Sequence, residues 1–574
     1  MTRMQGIAAS NGIAIGPAFL YRVELPEIPV SSDADPTEEL ERFEQSVDAV
    51  RTHLESIEER KRGQMHADNF EILDVQKELL SDEEYGDKIR TLIRHQGRNA
   101  EAAVQEVTKA VVTEFSMLED EYFRQRAADV ADLGNRLIRN LMDIADVDLG
   151  DLTEPVVLLA HDLSPSDTIG FELDKVAAMC TEAGSSTSHT AIVARSIGIP
   201  AVVGIGTMDV REGATIILDG NEGVAIADPD DATLAEYRER KTRDEKRREE
   251  LLAKAASPAI TADDVHIHCV ANVGSVDSAR TAAEYGADGI GLLRSEFLYL
   301  ERPRLPDEEE QYTAFSQIAD CLPDTTVVVR TLDVGGDKSV PSIKMPKEEN
   351  PFLGHRAIRL TLEEPDLFEP QIRALLRTAA DRDVRIMLPF VSTLSELRTA
   401  RERIATIHTS MTAHGTAVCD SPKIGIMIEI PSAAVMADAF AREADFFSIG
   451  TNDLCQYTMA ADRTNSKVAE LANFLDPAVL FLIKRSIDAA ENAGIPVAMC
   501  GEMAGSVIAT PLLLGMGLRE FSMSPSQLPE IKDAVRGLSV NDCRPLVDEC
   551  LQCATASDVR EILRSFLDSR LSRR

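Results

Sequence analysis

Gly289-Ile-Gly-Leu-Leu-Arg294 is a short apolar run that stops on an arginine, and its form recurs through the second half of the chain. Runs of the same kind cover residues 266–271, 289–294, 326–332, 385–390, 424–430, 446–450, 496–500 and 520–523, separated by helix-periodic segments. Eight strands alternating with helices predict a (β/α)8 barrel, because each apolar strand must be covered by the helix that follows it. Such a barrel places its chemistry at the C-terminal ends of the strands. Polar residues collect there: Arg294, Arg330, Glu429, Asn452 with Asp453, and Cys500.

Those residue types suit a small polyanion. Arg294 and Arg330 carry planar forks of donors that match carboxylate and phosphate oxygens, and Arg463 joins them from a loop. Glu429 and Asp453 are the pair expected to hold a divalent ion, since magnesium takes one or two carboxylates and leaves its other positions to substrate oxygens and water. Cys500, in Met-Cys-Gly-Glu-Met-Ala-Gly, ends a strand at the same rim. Its thiol is placed to give a proton to carbon once phosphoryl loss leaves an enolate.

The first half is organised around a different feature. Gly184-Ser-Ser-Thr-Ser-His189-Thr-Ala-Ile-Val-Ala-Arg-Ser196 reads as a turn of small residues opening an amphipathic helix, with His189 at its mouth. Unpaired backbone N–H groups and the positive end of the helix dipole favour an anion there, so a phosphoryl group carried on the imidazole would be stabilised where it sits. A histidine nucleophile splits one phosphoryl transfer into two. Short strands at 156–160, 176–180, 201–205 and 215–218 flank this helix. Residues 1 to about 22 read as a strand pair, and residues 36–141 as charged, helix-periodic runs.

This gives an α/β fold in four parts. An α/β domain around His189 is expected over 1–22 and 146–230, a helical subdomain over 23–145, a linker helix over 231–258, and the barrel over 259–574. The linker's charges alternate in sign, which marks a solvated helix rather than a binding patch.

Composition narrows the setting. With 97 acidic against 60 basic side chains, the chain carries a formal charge of −37, which argues against nucleic acid or an anionic membrane as partner. Lysine supplies only 15 of those basic side chains. An acid excess spread over every region reads as the surface of a protein kept soluble in high salt. Nine cysteines without a framework suggest reduced thiols, and Cys550-Leu-Gln-Cys553 lacks the second pair that zinc would need. With no apolar stretch of membrane-spanning length and no signal-peptide core, a cytoplasmic location is expected.

The wording of these segments resembles one family. Thr187-Ser-His-Thr-Ala-Ile-Val-Ala-Arg-Ser196 followed by Gly198-Ile-Pro-Ala-Val-Val-Gly204 is similar to the phosphohistidine domain of the enzymes that use phosphoenolpyruvate. Leu292–Phe297, Arg330–Lys338, Asn350–Arg359, Met427–Pro431, Gly450–Tyr457 and Met499–Gly505 resemble the signature segments of the Enzyme I family of the sugar phosphotransferase system. The resemblance implies a phosphoenolpyruvate-protein phosphotransferase that is a homodimer through its barrel, with 1–22 and 146–230 as a phosphohistidine domain and 23–145 as a carrier-binding subdomain. It implies that Arg294, Arg330, Asn452, Asp453 and Arg463 bind phosphoenolpyruvate and that Glu429 and Asp453 hold Mg2+. Cys500 would be the proton donor. His189 would carry the phosphoryl group on Nε2 and pass it to the phosphocarrier protein HPr, which drives sugar uptake.

Two positions depart from the family pattern. Ser185 and Ser186 stand where a glycine and an arginine are usual, and Val75-Gln76 stands where Ala-His is frequent, which points to a different, less electrostatic carrier-docking surface. A nucleotide-dependent dikinase or synthase would need a further nucleotide-grasping domain, for which residues 23–145 are too short and too poor in glycine. A non-catalytic relative would not need His189, Cys500, both carboxylates and the arginines together.

Overall fold

The computed structural model describes residues 1–21, 28, 35–61, 75–117, 121–144, 154–163, 175–184, 188–299, 304–336, 340, 342–343, 345, 348–463, 465 and 467–571. The chain divides into two compact units, Met1–Lys246 and Arg247–Arg574.

In the first unit, eight strands form one sheet: β1 (Thr2–Gln5), β2 (Ile7–Ser10), β3 (Ile13–Tyr21), β4 (Val156–Ala160), β5 (Val176–Thr181), β6 (Ala201–Val203), β7 (Thr215–Asp219) and β8 (Val224–Ala227), in the order β1-β8-β7-β3-β4-β5-β6-β2. The opening residues are therefore not a strand pair. β1 joins β8, β2 joins β6, and β3 lies between β7 and β4, so each finds its partner 139 or more residues away. Local alternation shows that strands exist; it carries no information on such distant pairing. Both sheet faces are covered by apolar clusters, one around Val157, Leu159 and Ile216, the other around Leu158, Met179 and Ala194.

The helical part comprises α1 (Pro36–Lys61), α2 (Glu83–Gln96), α3 (Ala100–Met117) and α4 (Glu121–Leu141), with a further helical stretch over 75–81. Asp82 caps α2 by accepting from the Glu84 and Tyr85 N–H groups, and Gly97 ends it in the left-handed region at φ 64°. Phe43, Leu54, Ile89, Ile93, Val104, Leu133 and Leu137 form its core. Gly134 is required for the α3–α4 approach, since a Cβ there would lie 2.4 Å from the Thr108 side chain. Gln76 corrects an expectation. It is buried and donates to Asp132 at 2.9 Å, so it belongs to the interior of this bundle and not to an exposed docking surface.

His189–Ile197 forms α5, closed by Gly198 in the left-handed region. Asp231–Ala253 forms α6, whose one buried side chain is Tyr237, as the alternating charges predict for a solvated helix.

The second unit is the barrel. Strands β10 (His266–Val273), β11 (Ile290–Arg294), β12 (Val327–Arg330), β13 (Val384–Leu388), β14 (Ile424–Ile428), β15 (Phe447–Ile449), β16 (Val497–Met499) and β17 (Glu520–Met523) are parallel neighbours in sequence order, and β10–β11 pairing closes the ring. A short antiparallel strand, β9 (Ala259–Ile260), lies on β10. All eight runs read from the sequence are strands, each within about two residues of its expected ends. Residues such as Val327, Val329, Ile426, Ile428, Phe447 and Ile449 face the covering helices, while Leu292, Val328, Met387, Met427, Phe446 and Cys500 pack inside.

The segment after α6 is fastened to this unit. Lys532, wholly buried, donates to the carbonyls of Ala255 and Gly286 and to Asp288, and Arg536 donates to the carbonyls of Lys254, Ser257 and Pro258. Cys550 is buried in the helix Val540–Leu551 and Cys553 donates its thiol to the Glu549 carbonyl, a structural use of the Cys-x-x-Cys pair.

Candidate active site

Six strand ends and the turns beyond them build the mouth of the barrel. Arg330, the last residue of β12, is buried at 6% exposure and held from two sides, by Glu296 and by Asp333 at 3.2 Å. Asp333 also receives Arg356 in a bidentate grip, with Nη2 2.9 and 3.1 Å from its two oxygens. Arg356 reaches further, to the Tyr457 hydroxyl at 3.3 Å and toward Asp453 at 3.7 Å, and its guanidinium stacks over Phe390. Glu296, Asp333 and Arg356 thus belong to the site although the sequence reading gave them no role. Each lies inside a segment singled out there, two or three residues past an arginine or within Asn350–Arg359, but nothing in spacing alone shows that they fold back on Arg330.

Arg294 differs from both arginines. It ends β11 at the rim and has no ion-pair or hydrogen-bond partner among the described residues. Although the residue is exposed, its charged head sits where burial and the neighbouring Arg330 charge push its pKa down, only partly offset by Glu296. A site with an uncompensated guanidinium favours an anion.

The carboxylates lie opposite. Glu429, 1% exposed, accepts from the Phe390 N–H at 2.5 Å. Burial raises its pKa, and the nearby charges of Asp453 and Asp333 raise it further against Arg330 and Arg356. Asp453 lies 3.6 Å from Arg463, and its Oδ1 is buried without a hydrogen-bond partner among the described residues. Two crowded carboxylates, one with an oxygen that accepts no hydrogen bond among the described residues, suit a divalent cation that takes few protein ligands. Among the described residues no group of three or more His, Cys, Asp and Glu side chains forms a complete metal cage.

Asn452 and Cys500 complete the mouth. Asn452 accepts from the Glu502 N–H at 3.0 Å, and Gly501 permits the contact of this turn with Thr451, whose Oγ1 would lie 1.9 Å from a Cβ. The Cys500 thiol is buried, and burial pushes its pKa up to about 11 despite the lowering influence of Ser448, Arg330 and Arg294. It is a thiol and not a thiolate near neutral pH.

The structure therefore brings Arg294, Arg330, Glu429, Asn452, Asp453, Arg463 and Cys500 to one rim. His189 is in the other unit, as the first residue of α5. Residues 185–187, expected to form the exposing turn and including both serines that depart from the family pattern, lie outside the described residues. On either side of His189, the hydroxyls of Ser188 and Thr190 are buried without hydrogen-bond partners among the described residues.

Known proteins match this chain along nearly its whole length. The model of the PEP-utilising enzyme PEP-binding domain matches residues 248–540, and those of the N-terminal and mobile domains match 5–126 and 152–223. The chain belongs to the PEP-utilising enzyme family. It is similar to the phosphoenolpyruvate-protein phosphotransferase of Priestia megaterium, with 41% identity over 98% of each chain. The protein of that name from Staphylococcus carnosus is 39% identical over 98% of this chain and 99% of its own. A solution structure of Enzyme I (nEIt) is 38% identical over 42% of this chain and 99% of its own, with a TM-score of 0.38.

Proposed function

We infer that this chain is a phosphoenolpyruvate-protein phosphotransferase, which moves a phosphoryl group from phosphoenolpyruvate to His189 and from there to a phosphocarrier protein. The observation that carries the reading is the mouth of the barrel, where an unpartnered Arg294 and a braced Arg330 converge with two acidic groups and a neutral buried thiol.

Arg294, Arg330 and Arg463 bind the phosphate and carboxylate of phosphoenolpyruvate, with Asn452 aligned by Glu502 and Asp453 facing the same space. Arg356 positions Asp333, and through it Arg330. Glu429 and Asp453 hold Mg2+, which when bound neutralises phosphate charge. The His189 ring nitrogen Nε2 takes the phosphoryl group as the bond to the enol oxygen breaks, and the positive end of α5 favours the charged product. Cys500 then gives its proton to the methylene carbon of the enolate, releasing pyruvate.

Acceptance by HPr in a sugar phosphotransferase system follows the same reading, with residues 23–145 as the docking subdomain, 1–22 and 146–230 as the phosphohistidine domain, 231–258 as linker and 259–574 as substrate and dimer domain. Homodimerisation is supported by Val435, Met436, Leu471 and Phe481, large apolar side chains of the barrel unit that are more than half exposed. A cytoplasmic setting accords with nine free cysteines, and no described helix is long and apolar enough to cross a membrane.

The test is labelling with 32P-phosphoenolpyruvate and Mg2+ in the absence of nucleotide. Wild type acquires acid-labile label and His189→Ala does not, while still binding phosphoenolpyruvate in its barrel. Label retained by the variant, or acquired only with ATP, overturns the assignment.

A further inference from the structure

An acid that gives up its proton in each turnover must be reloaded, and on the proposed function the substrate occupies the mouth at which Cys500 stands. A second way in exists from below. Ser448, Ala498 and Glu520 stand in one register row across β15, β16 and β17, Ser448 opposite Ala498 and Ala498 opposite Glu520. Ser448 is 1% exposed, and its hydroxyl makes no well-formed hydrogen bond among the described residues. It nevertheless lies against the Cys500 thiol, near enough to favour the thiolate.

The single methyl of Ala498 leaves a gap in this row. A cavity of about 10 Å³, lined by Gly291, Arg385, Phe446, Ser448, Ala498 and Glu520, occupies it. That volume is close to what one water needs, and the Ser448 hydroxyl and Glu520 carboxyl of its lining residues are partners for such a water, while the Arg385 guanidinium is engaged by Asp383 and Thr326. Glu520 is half-buried at the first residue of β17, on the face of the barrel opposite the mouth. Its carboxyl is in no hydrogen bond or ion pair among the described residues; Arg385 and Asp383 from β13 and its approach are the charges that act on it, and His268 of β10 is its neighbour in register. Burial raises its pKa, so the protonated acid is more available there than on an open surface.

We propose that Glu520, one water in this cavity and Ser448 form a proton relay that reloads Cys500 from the face of the barrel opposite the substrate. The proposal rests on the reading of Cys500 as the acid. When the enolate carbon takes the thiol proton, a C–H bond forms from the enolate π electrons and the S–H bond breaks to leave a thiolate. The thiolate takes the Ser448 hydroxyl proton, Ser448 takes one from the water, the water takes one from the Glu520 carboxyl, and bulk water reprotonates Glu520. Ser448 and Glu520 touch no substrate and act only through Cys500.

Two isotopes separate the relay from the chemistry above it. With phosphoenolpyruvate, 14C-pyruvate and Mg2+ in D2O, carbon label exchanges between the two compounds while one hydrogen shuttles between Cys500 and carbon, whereas deuterium enters the pyruvate methyl only when Cys500 exchanges with solvent. In Ser448→Ala, Glu520→Gln and the cavity-filling Ala498→Val, the ratio of deuterium entry to carbon exchange is expected to fall about tenfold, within the range of a single proton-transfer contribution. Ser448→Thr, which keeps the hydroxyl, restores it. An unchanged ratio in Glu520→Gln and Ser448→Ala, including a parallel loss of both signals, overturns the relay. Cys500→Ala is run beside them: loss of both signals there upholds the acid assignment whatever the relay does, and full retention of both removes the acid and the relay together.

Discussion

Asp333→Asn isolates what the barrel mouth spends on holding its arginines. Asp333 is 1% exposed and receives four guanidinium contacts among the described residues, three from Arg356 at 2.9, 3.1 and 3.3 Å and one from Arg330 at 3.2 Å. Asparagine keeps the shape and one acceptor but removes the charge from between two buried cations. Leaving a buried charge unpaired costs about 3–5 kcal/mol. Relief of the repulsion that Asp333 exerts on Glu429 offsets part of this, so about 3 kcal/mol is expected. At about 2 °C per kcal/mol for a unit of this size, the barrel transition in scanning calorimetry should fall by about 6 °C. The other transition should not move, since the two units are compact by themselves. Phosphoenolpyruvate restores negative charge near the same arginines and should recover more of the loss in the variant than it adds to wild type. A barrel transition within about 1 °C of wild type, equally sensitive to phosphoenolpyruvate in both proteins, would mean that Asp333 does not brace the site.

Three further outcomes follow from other groups. The Cys500 thiol, raised to about 11, should react slowly with iodoacetamide at pH 7 and progressively faster up to about pH 11, as the reactive thiolate forms; a rate already level at pH 8 would contradict the buried, neutral thiol. Lys532→Met removes a wholly buried ammonium from two carbonyls and Asp288, and should lower barrel stability by about 3 kcal/mol in urea denaturation, whereas an unchanged midpoint would show that the clasp on residues 254–258 is not energetically coupled to the fold. The net charge of −37 should make thermal stability rise from low to multimolar KCl, and a steady fall over that range would dispose of the high-salt reading while leaving the enzyme untouched.

The barrel was legible because strands adjacent in sequence are neighbours in the ring and four of them end on or lead directly into a polar or thiol side chain, so Arg294, Arg330, Glu429 and Cys500 announce the rim one strand at a time. The first sheet was less so: β1, β2 and β3 are adjacent in sequence but separated in the sheet, and only long-range pairing decides their places. The charges that brace the site were missed for a related reason. Asp333 and Glu296 look like ordinary polar residues after a strand until folding turns them back on Arg330. Gln76 misled in the opposite direction, because a polar residue in a charged helical region reads as surface, whereas it is buried inside the bundle with its Nε2 donating to Asp132.

The unpartnered guanidinium of Arg294 acquires a further meaning in a chain of charge −37. Seen from a distance, the molecule repels a polyanion; seen from the rim, it attracts one. The two fields have different ranges, since ions screen the distant repulsion over about 8 Å at physiological ionic strength but scarcely reach desolvated contacts. Added salt therefore lowers the approach barrier more than it loosens the grip at the rim. The solvent's ionic strength becomes a control on how readily small anions arrive, separate from how tightly they are held.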